Sequence, residues 1–262
     1  MSNEVHIHNN INLHELGVLI TRPIHQAQTL FNLIQKHNGR PILFPAITIE
    51  LIINSVLAQE LLSQNWDIII YTSFNAVQFA AQLNNAINSP TIICIGTATA
   101  TALKNIFQRE PNFIPERQDS EGLLNLPILN QPINQKILIV RGIGGRTLLN
   151  ETLIARGAYV SIAEVYQRSI PTIDAKAILE KWEQDVQVII ATSGEILDNL
   201  ISILGTNRQM KLFNTPLITV SERLYNYAQN LGFIQVMRAT NASDVALLTT
   251  LNDFASNLCH TP

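Results

Sequence analysis

The sequence predicts an α/β fold: two doubly wound parallel-sheet domains, Rossmann or flavodoxin-like, discontinuous in the chain and joined by a two-stranded β hinge. Three observations carry that expectation. Short apolar runs rich in β-branched residues alternate with stretches of helical periodicity, the pattern of parallel strands covered on both faces. The pattern occurs twice. "WDIIIYTSFNAVQFAAQL" from Trp66 returns as "VQVIIATSGEILDNLISIL" from Val186, and "PTIICIGTATATAL" from Pro90 returns as "TPLITVSERLYNYA" from Thr215. The repeat is also permuted: "KILIVRGIGGRTLLNETLIARGAYVSIAEVY" from Lys136 matches the opening "GVLITRPIHQAQTLFNLIQKHNGRPILFPAI" from Gly17, and the offset is about 120 residues throughout.

Element by element, residues 1 to about 15 are polar, rich in Asn and His, and expected to form a loose extension. "GVLIT" is a short buried strand. Pro23 suits the first turn of the helix that follows, where its missing N–H does no harm. Leu30, Leu33 and Ile34 give that helix an apolar face, and Gly39 is expected to end it. "RPILFPAITIEL" is extended and holds two prolines, which predicts an edge strand or connector. "DIIIYTS" leads into a helix near 75–84 and "TIICIG" into one near 97–107. "NFIPE" is a weaker strand, "SEGLLNL" opens a helix, and "KILIVRG" leads into a helix near 146–156. After "YVSIAEVYQRSIP", the order resumes with "VIIATSG", "PLITVS", "IQVMRAT" and "SDVALLTTL".

The permutation has a topological consequence. The inner unit lacks an opening strand-helix pair unless "KILIVRG" supplies it, and the C-terminal unit lacks one unless "GVLITR" does. The expected domains are therefore 1–41 with 170–262, and 45–160, with hinge strands at 40–48 and 159–171. A tandem division near residue 130 is the rival. Two such units are expected to enclose a cleft, where a ligand would bind.

Composition narrows the function classes. With 47% hydrophobic and 14% charged residues among 262, the chain can fill two cores. A net charge of −3 gives no field for nucleic acid or an anionic membrane. The two cysteines, Cys94 and Cys259, fit no metal or redox spacing. No basic leader followed by an apolar run and no membrane-length apolar stretch is present, so a cytoplasmic chain is expected. His6, His8, His14, His25, His37 and His260 make no metal-ligand spacing, and Glu164 and Asp174 read as solvated. These spacings predict no metal site.

Ligands of open α/β sheets bind beyond the carboxyl ends of strands, at helix N-termini. Those ends read Thr21-Arg22, Thr72-Ser73, Gly96-Thr97, Arg141-Gly142, Thr192-Ser193-Gly194 and Val220-Ser221. Small hydroxyl residues and glycines there leave backbone N–H groups for an anion, reinforced by the helix dipole. For any single Ser or Thr, an N-cap worth about 1 kcal/mol is the better explanation. What capping does not require is six such ends together. "RGIGGR", Arg141 to Arg146, is a glycine-dense turn with no phosphate-loop Lys-Ser/Thr; its arginines suit carboxylates. Tyr166 lies in the returning hinge segment. A phenol is an ordinary proton donor at neutral pH, and packing is the alternative role for it.

In order along the chain, "TSFNAV", "GTATATAL", "SEGLL", "RGIGGRTLLNETLIARGAYVSIAEVYQR", "TSG" and "SERLYNYAQNLG" together resemble the uroporphyrinogen-III synthase family, over Gly17 to Leu251. The resemblance implies two α/β domains joined by a two-stranded ladder. It implies a cofactor-independent lyase that closes hydroxymethylbilane, a linear tetrapyrrole bearing acetate and propionate arms, with loss of water and inversion of the last pyrrole ring. It makes Tyr166 the residue assisting hydroxyl loss. Ser73, Thr99, Thr192, Ser193 and Ser221 become cleft-lining hydroxyls, although threonine is common at the position of Ser221. Arg22, Arg141 and Arg146 are candidate carboxylate partners, with Gly142 and Gly194 beside them. A monomer in transient contact with hydroxymethylbilane synthase is expected. The alternative from another class is a non-catalytic two-domain module closing on a small anion; a nucleotide-dependent transferase lacks the phosphate loop it would need.

Overall fold

The computed structural model describes residues 11–52, 55–173, 175–205 and 209–259. His6, His8, Asp174 and His260 lie outside them. Two compact units divide the chain, the first running to Thr48 and resuming at Ile170, the second spanning Ile49–Ser169.

The first domain holds a five-stranded sheet of β1 (Gly17–Ile20), β2 (Arg40–Leu43), β8 (Val188–Ile190), β9 (Leu217–Thr219) and β10 (Val236–Arg238). The order is β10-β9-β8-β1-β2 and every neighbouring pair is parallel. The second sheet uses β3 (Thr48–Leu51), β4 (Ile68–Tyr71), β5 (Thr91–Cys94), β6 (Lys136–Gly142) and β7 (Tyr159–Ser169), in the order β3-β7-β6-β4-β5. Its β4, β5, β6 and β7 pair in parallel. This is the two-sheet α/β architecture the alternating pattern predicts. The opening strand β1 sits between β2 and β8, and β6 sits between β7 and β4, so each unit is completed by the strand from the other end of the repeat. Arg40–Leu43 is the edge strand of the first sheet, and β3 borders β7 in the second.

Period-two alternation explains why these strands read as unbroken apolar runs. Ile69 and Tyr71 point into one core and Ile68 and Ile70 into the other. In the first domain Leu19 and Ile189 enter one core, and Val18, Ile20, Val188 and Ile190 the other. A strand buried on both faces has no polar side to show.

The helices are α1 (Ile24–Lys36), α2 (Val56–Ser63), α3 (Phe74–Leu83), α4 (Thr97–Phe107), α5 (Ser120–Leu124), α6 (Leu148–Ala155), α7 (Lys176–Glu180), α8 (Trp182–Asp185), α9 (Gly194–Leu204), α10 (Gln209–Asn214), α11 (Glu222–Leu231) and α12 (Asp244–Cys259). Four details depart from the sequence expectations. Leu13 and Leu16 are buried, and the Leu13 N–H bonds to His37 O, so residues 11–16 are packed rather than loose. Helix α1 ends one step earlier than expected: Asn38 takes the left-handed conformation at φ 60°, and the Gly39 N–H closes onto Ile34 O at 2.9 Å. Gly39 is needed for space instead, since a Cβ there would lie 2.7 Å from the Ile34 side chain. Helix α2 has no counterpart in the sequence reading; its short apolar face is Ala58 and Leu62. "NFIPE" forms only a single bridge, Phe113 to Ile93.

Candidate functional site

The strand ends line a cavity in each domain. In the second domain the ends of β4 and β6, the start of α6 and the far part of β7 line a cavity of about 310 Å³. Its wall includes Ser73, Asp119, Arg141, Gly142, Asn150 and Tyr166. The β6–β7 ladder is irregular here. Arg141 pairs with Glu164, but Gly142 pairs with Tyr166, so β7 carries one extra residue at this point. The bulge sets the Tyr166 ring against Gly142. A Cβ on Gly142 would fall 2.4 Å from that ring, so only glycine leaves the tyrosine its place. Phe79 also packs against the ring, centroids 5.8 Å apart. Tyr166 is 5% exposed: it both packs and lines the cavity, and the two roles weighed for it coexist.

At its tip, the Tyr166 hydroxyl lies 3.1 Å from Ser73 Oγ. Ser73 is also the N-cap of α3, accepting from the Ala76 N–H at 3.0 Å. With one lone pair filled by the helix, Ser73 Oγ keeps its proton and a second lone pair, so either hydroxyl of the pair can donate to the other.

Arg141 donates to Glu164 at 3.1 Å and to the carbonyls of Gly145 and Arg146, both at 3.2 Å, while its buried Nε has no partner. Arg146 is exposed and only loosely approached by Glu121, at 3.8 Å. Asp119 caps α5 through the Gly122 N–H at 2.8 Å. That bond foremost, with Arg117 beside it, holds its carboxyl below the usual carboxylate range. Gly122 is obligatory at this cap, as a Cβ there would meet Arg117 O at 1.8 Å.

The first domain's cavity, about 640 Å³, is lined by Thr192, Ser193, Gly194, Ser221, Arg223 and Tyr227 among others. Ser193 accepts from the Ile196 N–H at 3.2 Å and Ser221 from the Leu224 N–H at 3.3 Å. Each cap fills the third N–H of its helix and leaves the first two for other partners. Tyr227 donates to Asp198 at 2.5 Å, and that bond raises its phenol pKa.

Arg22, Thr99 and the Gly96-Thr97 strand end stand apart from both linings. Arg22 is 8% exposed, with Nη1 on Asp244 at 2.6 Å and Nη2 on Ala242 O at 2.6 Å, so both are engaged inside the domain. Thr99 is buried in α4 and lines neither cavity. Gly96-Thr97 is not an open helix start: the Gln118 side chain accepts from the Thr97 N–H at 3.1 Å. Gln118, Asn150 and Arg168 line the second-domain cavity and were not foreseen. Arg168 was within reach of the sequence, since it stands two residues after Tyr166 and a strand repeats its faces every two. Among the described residues no group of His, Cys, Asp and Glu is placed to hold a metal ion, and no helix is long and apolar enough to cross a membrane.

Comparison with known proteins gives one answer. The family model described as uroporphyrinogen-III synthase HemD matches residues 28–249. The uroporphyrinogen-III synthase of Salmonella typhimurium is 36% identical over 248 residues, 90% of this chain and 100% of the relative. That of Escherichia coli is 36% identical over 192 residues, 71% of this chain and 78% of the relative. Among solved structures, a mutant uroporphyrinogen III synthase from Thermus thermophilus matches with a TM-score of 0.59 at 16% identity, covering 93% of this chain and 99% of that one. The Helicobacter pylori uroporphyrinogen-III synthetase matches with 0.56 at 15% identity, covering 93% and 99%. At those identities the two structures speak for the fold.

Proposed function

The chain belongs to the uroporphyrinogen-III synthase family, and we propose that it runs the family's reaction with Tyr166 as the proton donor and the strand-end loops as the binding surface. The reaction is the conversion of hydroxymethylbilane to uroporphyrinogen III, a cyclisation with loss of water. The observation that carries the assignment of roles is the Tyr166 hydroxyl beside Ser73 Oγ on the wall of an arginine-lined cavity.

The chemistry asks little of side chains. Water loss from the terminal hydroxymethyl group leaves a cation-like azafulvene that is already reactive. The protein has to protonate the departing oxygen and present the substituted carbon of the last ring to the cation before the unsubstituted one. The first task falls to Tyr166, whose proton is freed when Ser73 donates to the phenol oxygen. The second is positioning, the larger contribution. Carboxylate arms are met in the second domain by Arg141, Arg146 and the Gly142 turn. In the first domain they are met by the open first-turn N–H groups behind Ser193 and Ser221, with Thr192 and Gly194. Arg22 supports this arrangement from within, by holding Asp244. The chain acts in the cytoplasm as a monomer and receives its substrate from hydroxymethylbilane synthase.

Freshly prepared hydroxymethylbilane supplied to the protein, with the type I and type III products separated by chromatography, tests the reading. Excess type III over the spontaneous type I product supports it. Stoichiometric binding without turnover would favour the non-catalytic anion-binding module instead.

A further inference from the structure

The second-domain cavity holds more positive charge than its structural bonds use. Its lining carries three guanidinium groups, Arg141, Arg146 and Arg168, against one carboxylate, Asp119. Glu164 and Glu121, just outside the lining, pair with Arg141 and Arg146 and offset two of these charges, which leaves Arg168 as the cation without a counter-ion among the described residues. The carboxylate is occupied by the Gly122 N–H and Arg117. The cations are less committed. Among the described residues Arg168 is exposed with no hydrogen bond or ion pair, Arg146 has only the long approach to Glu121, and Arg141, though bonded to Glu164, keeps a buried Nε without a partner. Asn150, at the third position of α6, contributes a side-chain oxygen that is buried without a partner, and its amide makes no other bond. Buried polar atoms in folded proteins are nearly always paired, so those two unpaired atoms on one wall mark a place where a ligand's groups complete the set.

Size and position narrow the ligand. About 310 Å³ is at the lower end of small-molecule sites, room for one substituted ring rather than a chain of four. Tyr166 and Arg168 lie on the same face of β7, roughly 7 Å apart along the strand. A ring seated against Tyr166 therefore has its side arm within reach of Arg168.

We propose that this cavity is a subsite for a single pyrrole ring, that Arg168 binds the carboxylate of one of its arms, and that Asn150 takes up a ring N–H or carboxyl hydrogen bond beside it. The assignment rests on the reaction given above, and it names residues of that site outside the set already put forward. Arg168 is a binding residue and takes no part in proton transfer. Its lack of any partner means that replacing it removes no structural bond.

The test uses the whole chain. Turnover of fresh hydroxymethylbilane to the type III isomer is measured first, and that result alone judges the proposed reaction. Arg168→Gln should then raise KM about five- to tenfold, with kcat within about twofold, and Arg168→Lys should recover part of the loss. Asn150→Asp, which adds a negative charge to the same wall, should raise KM at least as much. Calorimetric titration with a monopyrrole bearing one acetate and one propionate arm supplies a readout independent of turnover: affinity should fall by the same factor in Arg168→Gln. Unchanged KM and unchanged monopyrrole affinity in Arg168→Gln overturn the subsite while leaving the reaction standing. Equal competition by inorganic phosphate overturns the assignment to carboxylate arms. Arg168-dependent monopyrrole binding in a protein that makes no type III product upholds the subsite and removes the reaction.

Discussion

Arg22 and Arg141 occupy the same place in the two halves of the repeat, Arg22 just beyond β1 and Arg141 in the last residues of β6. In the first domain the guanidinium is sealed between Asp244 and the Ala242 carbonyl. In the second it lies on a cavity wall, tied to Glu164 and two carbonyls with its Nε unpaired. The residues around them diverge in the same sense. Gly142 stands where the first domain has Pro23, and in the alignment of the repeat Tyr166 stands where it has Ile47. Both are buried in a core, but Tyr166 also lies across a glycine and reaches Ser73 on a cavity wall. The duplicated scaffold thus repeats its strand ends without repeating their use: one copy spends its cation on stability and the other keeps it for a ligand.

The comparison can be broken in several places. Gly142→Ala should be the most damaging, because the added Cβ displaces the Tyr166 ring. Turnover should fall at least as far as in Tyr166→Phe, with about 1–3 kcal/mol of stability lost to overpacking. Wild-type turnover in that variant would remove the glycine–tyrosine contact from the mechanism. Tyr166→Phe itself should slow type III formation about 10- to 100-fold, near or below the low end for a general acid because this hydroxyl leaves readily. An unchanged rate excludes the phenol as donor.

Arg22→Gln should cost about 2–3 kcal/mol by urea unfolding, since it leaves Asp244 unpaired in a half-buried place. Arg141→Gln should cost less than about 1 kcal/mol and act mainly on KM, Glu164 being partly solvated. Equal stability losses in the two variants would erase the contrast between the domains. Smaller still is the serine pair. Ser73→Ala and Ser193→Ala should each lose about 1 kcal/mol of capping. Only Ser73→Ala should also slow the chemical step in single-turnover kinetics.

The smallest effect concerns acid stability. The Asp119 carboxyl is held down in the folded protein chiefly by the Gly122 N–H. Its contribution is therefore complete above the ordinary carboxylate range and is lost as pH falls through the lowered folded value. Asp119→Asn should lower the urea midpoint at neutral pH and match wild type in strong acid. A difference that grows on acidification would reverse the sign of this linkage.

Much of the scaffold was legible. "IIIY", "TIIC" and "ILIV" announce strands buried on both sides, and Ser73, Ser193 and Ser221 announce helix starts, because alternation and capping are local properties. Helix α2 was not legible, since eight residues with two buried apolar positions give too weak a period. Gln118 was not legible as the closure of α4, because it comes from 21 residues further on, in a loop with no motif of its own. Asn150 reads as an ordinary polar position on a short helix; only the folded structure shows its oxygen buried.

By itself the sequence determined the strands, the helix starts, the permuted repeat and the family, all of which are written in short runs and their order. Which arginine is sealed in the domain and which lines a cavity, and whether a tyrosine meets a serine, came from the tertiary structure. Arg22 finds Asp244 222 residues away, and Ser73 finds Tyr166 93 residues away. Such pairings depend on sheet order and on one bulge in β7, and no local pattern of side chains encodes them.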